Sequence, residues 1–166
     1  MKYSIFIGAD PAFRKKGFGI AVIDRNDKTV NFKVFKNGFL DFQSWLISDA
    51  PTHAVICVEN SNLQKKTFDM TGGLPVVARK SRNVGKNQAV SQLTVDVCRM
   101  VKGFTTIEIS PLEKGRKWSE ATALSVMRSE GLKFFKNKIS QDEIDSLQIA
   151  LKGQQLNKFK SGSKLP

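Results

Sequence analysis

The sequence predicts one α/β domain: a five-stranded mixed sheet, made of a three-strand antiparallel meander plus parallel strands, with helices on both faces. Three observations lead there. Residues 3–36 hold three extended apolar runs parted by short polar turns, a pattern of hairpins rather than helices. Two further strand-like runs, 53–59 and 105–109, alternate with segments of helical period, as parallel strands joined by crossovers do. At 166 residues the chain suffices for one core and falls short of two ordinary domains.

Taken in order, YSIFIGA (3–9) is a short buried strand stopped by Asp10-Pro11, since proline cannot donate to a ladder. After the loop PAFRKKG, FGIAVID (18–24) resumes an extended run and closes a hairpin, and RNDK turns the chain into TVNFKVFK (29–36), a strand with one wet face. Phe39, Phe42, Trp45 and Leu46 recur at helical spacing until Pro51 ends the element. HAVICVE (53–59) is apolar throughout, which marks a strand covered on both faces. Residues 60–82 show no period, contain TGGLP and several cations, and are expected to form a long functional loop. From Val84 on, Val90, Leu93, Val97, Met100 and Val101 mark one helical face, and TTIEI (105–109) is the fifth strand, ended by Ser110-Pro111. SEATALSVMRSEG (119–131) carries a serine N-cap and a terminal glycine and reads as a helix. ISQDEIDSLQIAL (139–151) reads as an amphipathic last helix with Ser140 and Glu143 as its capping box. The expected organisation is one domain over 1–153 and a basic tail over 154–166, with the first strand central in the sheet.

Charge narrows the partners. There are 27 Lys and Arg against 15 Asp and Glu, a net +12, more than solubility requires, and this points to a polyanion, with nucleic acid the default. Eight of the cations (Lys65, Lys66, Arg79, Lys80, Arg82, Lys86, Arg99 and Lys102) lie between Ser61 and Lys102 against only Asp69 and Asp96; Lys114, Arg116 and Lys117 form a second group and the tail adds more. Any one group is also what a solvated face looks like; the three together favour phosphate contact. No apolar run approaches the roughly 18 residues of a membrane span, and the N-terminus lacks the shape of a secretory signal. An intracellular, cytoplasmic protein without a membrane partner is expected. Cys57 and Cys98 sit among hydrophobes and imply no disulfide framework.

Four carboxylates carry the chemistry. Asp10 follows the first apolar strand and Glu59 ends the fourth, at the carboxyl edge where α/β sheets place their sites. If those strands are parallel neighbours, the two acids stand side by side and call for a bridging cation. Hard oxygen donors select Mg²⁺, with Mn²⁺ as substitute. Asp142 and Asp145, three apart on one helical face, bring the set to four, enough for two ions and hence for phosphodiester hydrolysis by metal-activated water. Each acid also has a local explanation: a turn start at Asp10-Pro11, an ordinary strand end at Glu59, and the attraction of helix N-termini for acids at Asp142 and Asp145. Other chemistries lack parts. His53, the single histidine, is six strand residues from Glu59, and TGGLP lacks the Gly-Lys-Ser/Thr of a phosphate loop, so no nucleotide cofactor is expected. Trp118 beside KGRK reads as a core residue opening a helix before it reads as a base-stacking platform.

In order along the chain, IGADP with GFGIAVID, the strand ending in Glu59, IEISP with cations after it, and DEIDSLQIAL together resemble the RuvC-type Holliday junction resolvases of the RNase H-like nuclease superfamily, the last piece being similar to that family's Asp-x-x-Asp-Ala-Leu-Ala-Ile-Ala segment. The resemblance implies that Asp10, Glu59, Asp142 and Asp145 bind metal and are catalytic, and that Lys114 or Lys117 approaches the scissile phosphate. It also implies a homodimer cutting a four-way junction symmetrically. Plain RNase H fits less well, because Asp69 and Asp96 do not follow Glu59 on a strand. Ala12 stands where the family has Gly, and the 60–82 connection is longer; Leu63 or Phe68 would be its junction wedges. DNA contacts are expected from Lys65, Lys66, Arg79, Lys80, Arg82, Lys86, Lys114, Arg116 and Lys117. Two alternatives stay open: a nuclease of the same fold acting on flaps or RNA–DNA hybrids, and a branched-DNA binding module whose acids are caps and turn residues.

Overall fold

In the computed structural model, which describes residues 3–13, 17–64 and 71–162 with side chains to Lys158, β1 (Ile5–Asp10) lies at the centre of a five-stranded sheet. β2 (Phe18–Asp24) and β3 (Thr29–Phe35) continue it antiparallel on one side, while β4 (Ala54–Glu59) and β5 (Phe104–Ile109) run parallel on the other, giving the order β3-β2-β1-β4-β5. The meander, the parallel pair and the central first strand are as the sequence predicts. β1 begins two residues later than expected and includes Asp10, which pairs with Gly19.

Residues alternate between two cores. On one face Phe6, Ala21, Val55, Cys57 and Ile109 pack under α4 (Glu120–Ser129) and α5 (Gln141–Gly162). On the other, Ile7, Ile20, Ile56 and Val58 pack under α1 (Phe39–Ser48) and the C-terminal part of α2 (Leu74–Met100), where Phe18 stacks on Phe42 with ring centroids 4.6 Å apart. The helices thus cover both faces.

Three expectations change. The second half of the expected 60–82 loop is helix: after a 3-10 turn at Ser61–Leu63, α2 starts at Leu74 behind Gly73 with Pro75 in its first turn, a favoured place for a residue lacking an N–H. Its first four turns carry no core period because they stand clear of the core; Leu74 is 86% exposed and the first buried residue is Ser91. A short helix α3 (Pro111–Lys114), not expected from the sequence, follows Ser110, which forms a capping box with Glu113. The last helix, finally, is neither amphipathic nor finished at 153. Every residue from Glu143 to Leu151 is buried, polar ones included, and the helix runs on to Gly162, so the basic segment expected as a tail continues α5. Gln154 is itself buried and accepts from Arg25.

Candidate active site

Strand register brings the first two acids together. Ala9 lies opposite Val58 in the parallel β1–β4 pair, so Asp10 and Glu59 are the next residues on neighbouring strands. Side chains alternate across a strand. Asp10 therefore shares its face with Phe6 and Gly8, and Glu59 shares its face with Val55 and Cys57, the face that α5 covers.

What lets α5 reach them is glycine. A Cβ at Gly8 would collide with the Ser146 carbonyl oxygen and fall 2.5 Å from the Ala150 nitrogen, and one at Gly19 would fall 2.7 Å from the Asp142 carbonyl oxygen. The helix backbone rests directly on β1 and β2 over these two positions. Its start is fixed by the expected capping box, with the Ser140 amide and hydroxyl donating to Glu143 Oε2 at 2.9 and 3.0 Å. Asp142 thereby joins Asp10 and Glu59 in lining a cleft of about 260 Å³, with Pro11, Ala12, Gly17, Ser61, Asn87 and Ser91. Asp145, one turn on, is buried; it accepts from Gln141 Nε2 at 3.0 Å and lies 3.4 Å from Lys117 Nζ.

Electrostatics tie the four acids into one centre. Burial pushes the Asp10 carboxyl up to about 7; Lys114 opposes this, and Glu59, Asp145 and Asp142 add to the rise. The Lys114 side chain, only 8% exposed, forms an ion pair with Glu59. Burial alone would lower its pKa, but Asp10 and Glu59 outweigh that and raise it, so the ammonium is firmly charged. Among the described residues no three Asp, Glu, His or Cys side chains are grouped closely enough to close a metal site as they stand. The fit to a divalent ion lies in the donor set: four carboxylates, three of them on the cleft wall, act on one another, and Lys114 offsets only part of their charge.

The expected DNA contacts fall in two places. Arg79, Arg82 and Lys86 are exposed along the free half of α2, while Lys80 is partly covered and donates to the Thr71 carbonyl at 2.9 Å. Arg116 and Lys117 are exposed in the turn after α3, whereas Lys114 is turned inward. Lys65, Lys66 and Phe68 lie outside the described residues; Leu63 is 44% exposed. Trp118 packs on the α5-side core while lining a second cleft. Sequence reasoning missed Ser61, Asn87 and Ser91 on the cleft wall, and also buried Asn60, whose Nδ2 donates to Glu108 Oε2 at 2.6 Å and ties the end of β4 to β5. Asn60, next to Glu59, is within reach of the sequence; Asn87 and Ser91 lie in the segment expected as helix, but nothing local shows that this helix passes the cleft.

Sheet order, pairing and helices on both faces define the RNase H-like fold of the RuvC kind. More particularly, the structure is similar to T. thermophilus RuvC in complex with Holliday junction substrate, with a TM-score of 0.53 over 95% of this chain and 96% of that one at 13% sequence identity. No protein-family model matches the chain and no curated protein matches it in sequence. At that identity the likeness is one of fold.

Proposed function

We propose that the protein is a Mg²⁺-dependent, structure-selective DNA endonuclease that resolves Holliday junctions or related branched DNA by phosphodiester hydrolysis. The observation that carries this reading is the meeting of Asp10, Glu59 and Asp142, from three separate elements, around one cleft at the carboxyl edge of an RNase H-like sheet, with Asp145 close enough behind to act on Asp10. The similar structure in complex with Holliday junction substrate supports the choice of branched DNA.

In this reading Asp10, Glu59, Asp142 and Asp145 hold two ions, which when bound supply an activated water and stabilise the leaving oxygen. The protein's own groups orient and hold the phosphate. Lys114 balances Glu59 and Asp10 and places a buried positive charge where charge develops on the phosphate. Lys117, exposed beside Asp145, meets the phosphate from the solvent side. Arg79, Lys80, Arg82 and Lys86 on α2, with Arg116 after α3, grip the flanking backbone, a contact that weakens as salt rises. Two copies acting on one junction would nick opposing strands symmetrically.

Labelled four-way junction, flap, linear duplex and RNA–DNA hybrid, each with Mg²⁺ or EDTA, test the proposal. Paired nicks across the junction, requiring both metal and Asp10 (abolished by Asp10→Asn), are the expected result. Cutting of hybrid alone assigns the chain to RNase H-like enzymes instead, and junction binding without cleavage under any metal leaves a binding module. A single copy per bound junction in light scattering would reject symmetric cutting.

A further inference from the structure

Next to the acidic cleft lies a smaller one of about 100 Å³, lined by Phe13, Asn83, Lys86 and Asn87. Asn87 lines both, so the two adjoin. Phe13 stands three residues after Asp10 in the β1–β2 connection and is 53% exposed, although Lys86 Nζ sits 4.5 Å from its ring centroid. Asn83, Lys86 and Asn87 are spaced to share one face of α2, all exposed. A half-open aromatic ring, a cation on it and two side-chain amides fit an unpaired nucleobase: the ring offers stacking, the amides offer donors and acceptors to a base edge, and the ammonium meets the adjoining phosphate. We infer that this cleft is a subsite for one unstacked base adjacent to the phosphate held by the acids, with Phe13 as its stacking platform. The inference rests on the proposed nuclease function for its substrate, branched DNA, which offers unstacked bases at its crossover.

The test uses the full chain carrying Asp10→Asn, so that DNA is bound and not cut, and four-way junctions with 2-aminopurine at each position flanking the crossover. Quenching on binding at one or two positions is expected, lost with Phe13→Ala or Phe13→Leu and retained with Phe13→Trp. Phe13→Ala should weaken junction binding by roughly 5- to 150-fold and linear duplex hardly at all. Quenching that ignores Phe13, equal weakening toward linear duplex, or no binding of junction overturns the subsite. Cleavage by the unmutated chain is read separately: quenching without cleavage keeps the subsite and removes the nuclease, and cleavage with Phe13-independent emission does the reverse.

A different observation carries a second inference. Gln148, 4% exposed on α5, donates its Nε2 to the carbonyl oxygens of Lys114 and Arg116, each at 2.8 Å, on either side of Gly115, whose φ is 87°. Its Oε1 has no hydrogen-bond partner, so the amide serves the turn through its NH₂ alone. The motif it resembles has Ala at this place. The structure assigns Gln148 as a positioning residue: it pins the turn from α5 so that Lys114 ends on Glu59.

In Gln148→Glu, of equal size, oxygen replaces the donor against two carbonyls, and in Gln148→Leu both bonds are lost. Each should lower kcat about tenfold with KM unchanged, and the loss should vanish in a Lys114→Met background. The side-chain ¹⁵N resonance of Lys114 in the metal-free protein should broaden or shift in both variants. An unmoved resonance, or a kcat loss of equal size with Lys114→Met, overturns the assignment. If the unmutated chain cuts nothing, the nuclease reading falls, and the resonance still decides the role of Gln148.

Discussion

Asp10 illustrates how a buried acid works against the stability of its own fold. Burial pushes its carboxyl up to about 7 in the folded chain, against 3.8 for a free carboxylate. The folded state therefore holds a proton that the unfolded state releases, and stability falls as pH rises from about 4 to about 7, by at most about 4 kcal/mol. The opposite shift at Glu143, held below its ordinary value against burial by Lys136 and Ser140, acts as pH falls below 4.5 and so touches only the lower edge of that window. In EDTA, Asp10→Asn should melt higher than the unmutated chain at pH 8, with the gap closing near pH 4; calorimetry that finds no gap at pH 8 would refute the burial argument. Added Mg²⁺ should raise the melting temperature of the unmutated chain and leave the variant nearly unmoved. Lys114→Met removes the cation paired with Glu59. A fall in cleavage rate on the order of 10²-fold is expected, with single-turnover kinetics as the measurement.

At the scale of elements, two features decide whether the acids form a site. The first is the contact of α5 with the sheet. Gly8→Ala forces the helix off β1 at Ser146 and Ala150. Overpacking of this kind costs about 1–3 kcal/mol or more, and displacement of Asp142 by even about 1 Å would cost on the order of 10²-fold in rate. Denaturant melts and cleavage assays on the same preparation should show both losses; a fully active Gly8→Ala would show that the helix need not sit so close. The second is the free half of α2. Replacing Arg79, Arg82 and Lys86 by Ala should change stability by less than about 0.5 kcal/mol each, because these side chains are exposed. Junction binding should lose about 0.9 in salt-dependence slope for each phosphate contact removed. An unchanged slope in binding titrations across salt would remove α2 from the interface.

Across the whole molecule, sequence and structure divide the explanation. The meander, the helical crossovers and the capping boxes rest on contacts within a few residues of chain, and β2 at Phe18–Asp24 and the Ser140–Glu143 cap stand where local pattern put them. Asp10 and Glu59 were legible as strand-end acids for the same reason. Local pattern misled where a segment has no buried face or is covered on all sides: the first half of α2 has no core side to impose a period, and the middle of α5 is enclosed, so Gln148 lies buried where a wet face was expected and Gln154 lies buried where a tail was expected. By itself the sequence determined which residues form strands and helices and which acids end them, because propensity, capping and apolar period act over neighbouring residues. Only the tertiary structure decided that four carboxylates meet at one end of the sheet, that Gly8 and Gly19 admit α5 there, and that Lys114 turns inward. Those outcomes depend on strand register and on the closeness of helix to sheet, which are set by packing between residues far apart along the chain, from Phe6 opposite Val55 to Gly8 under Ser146.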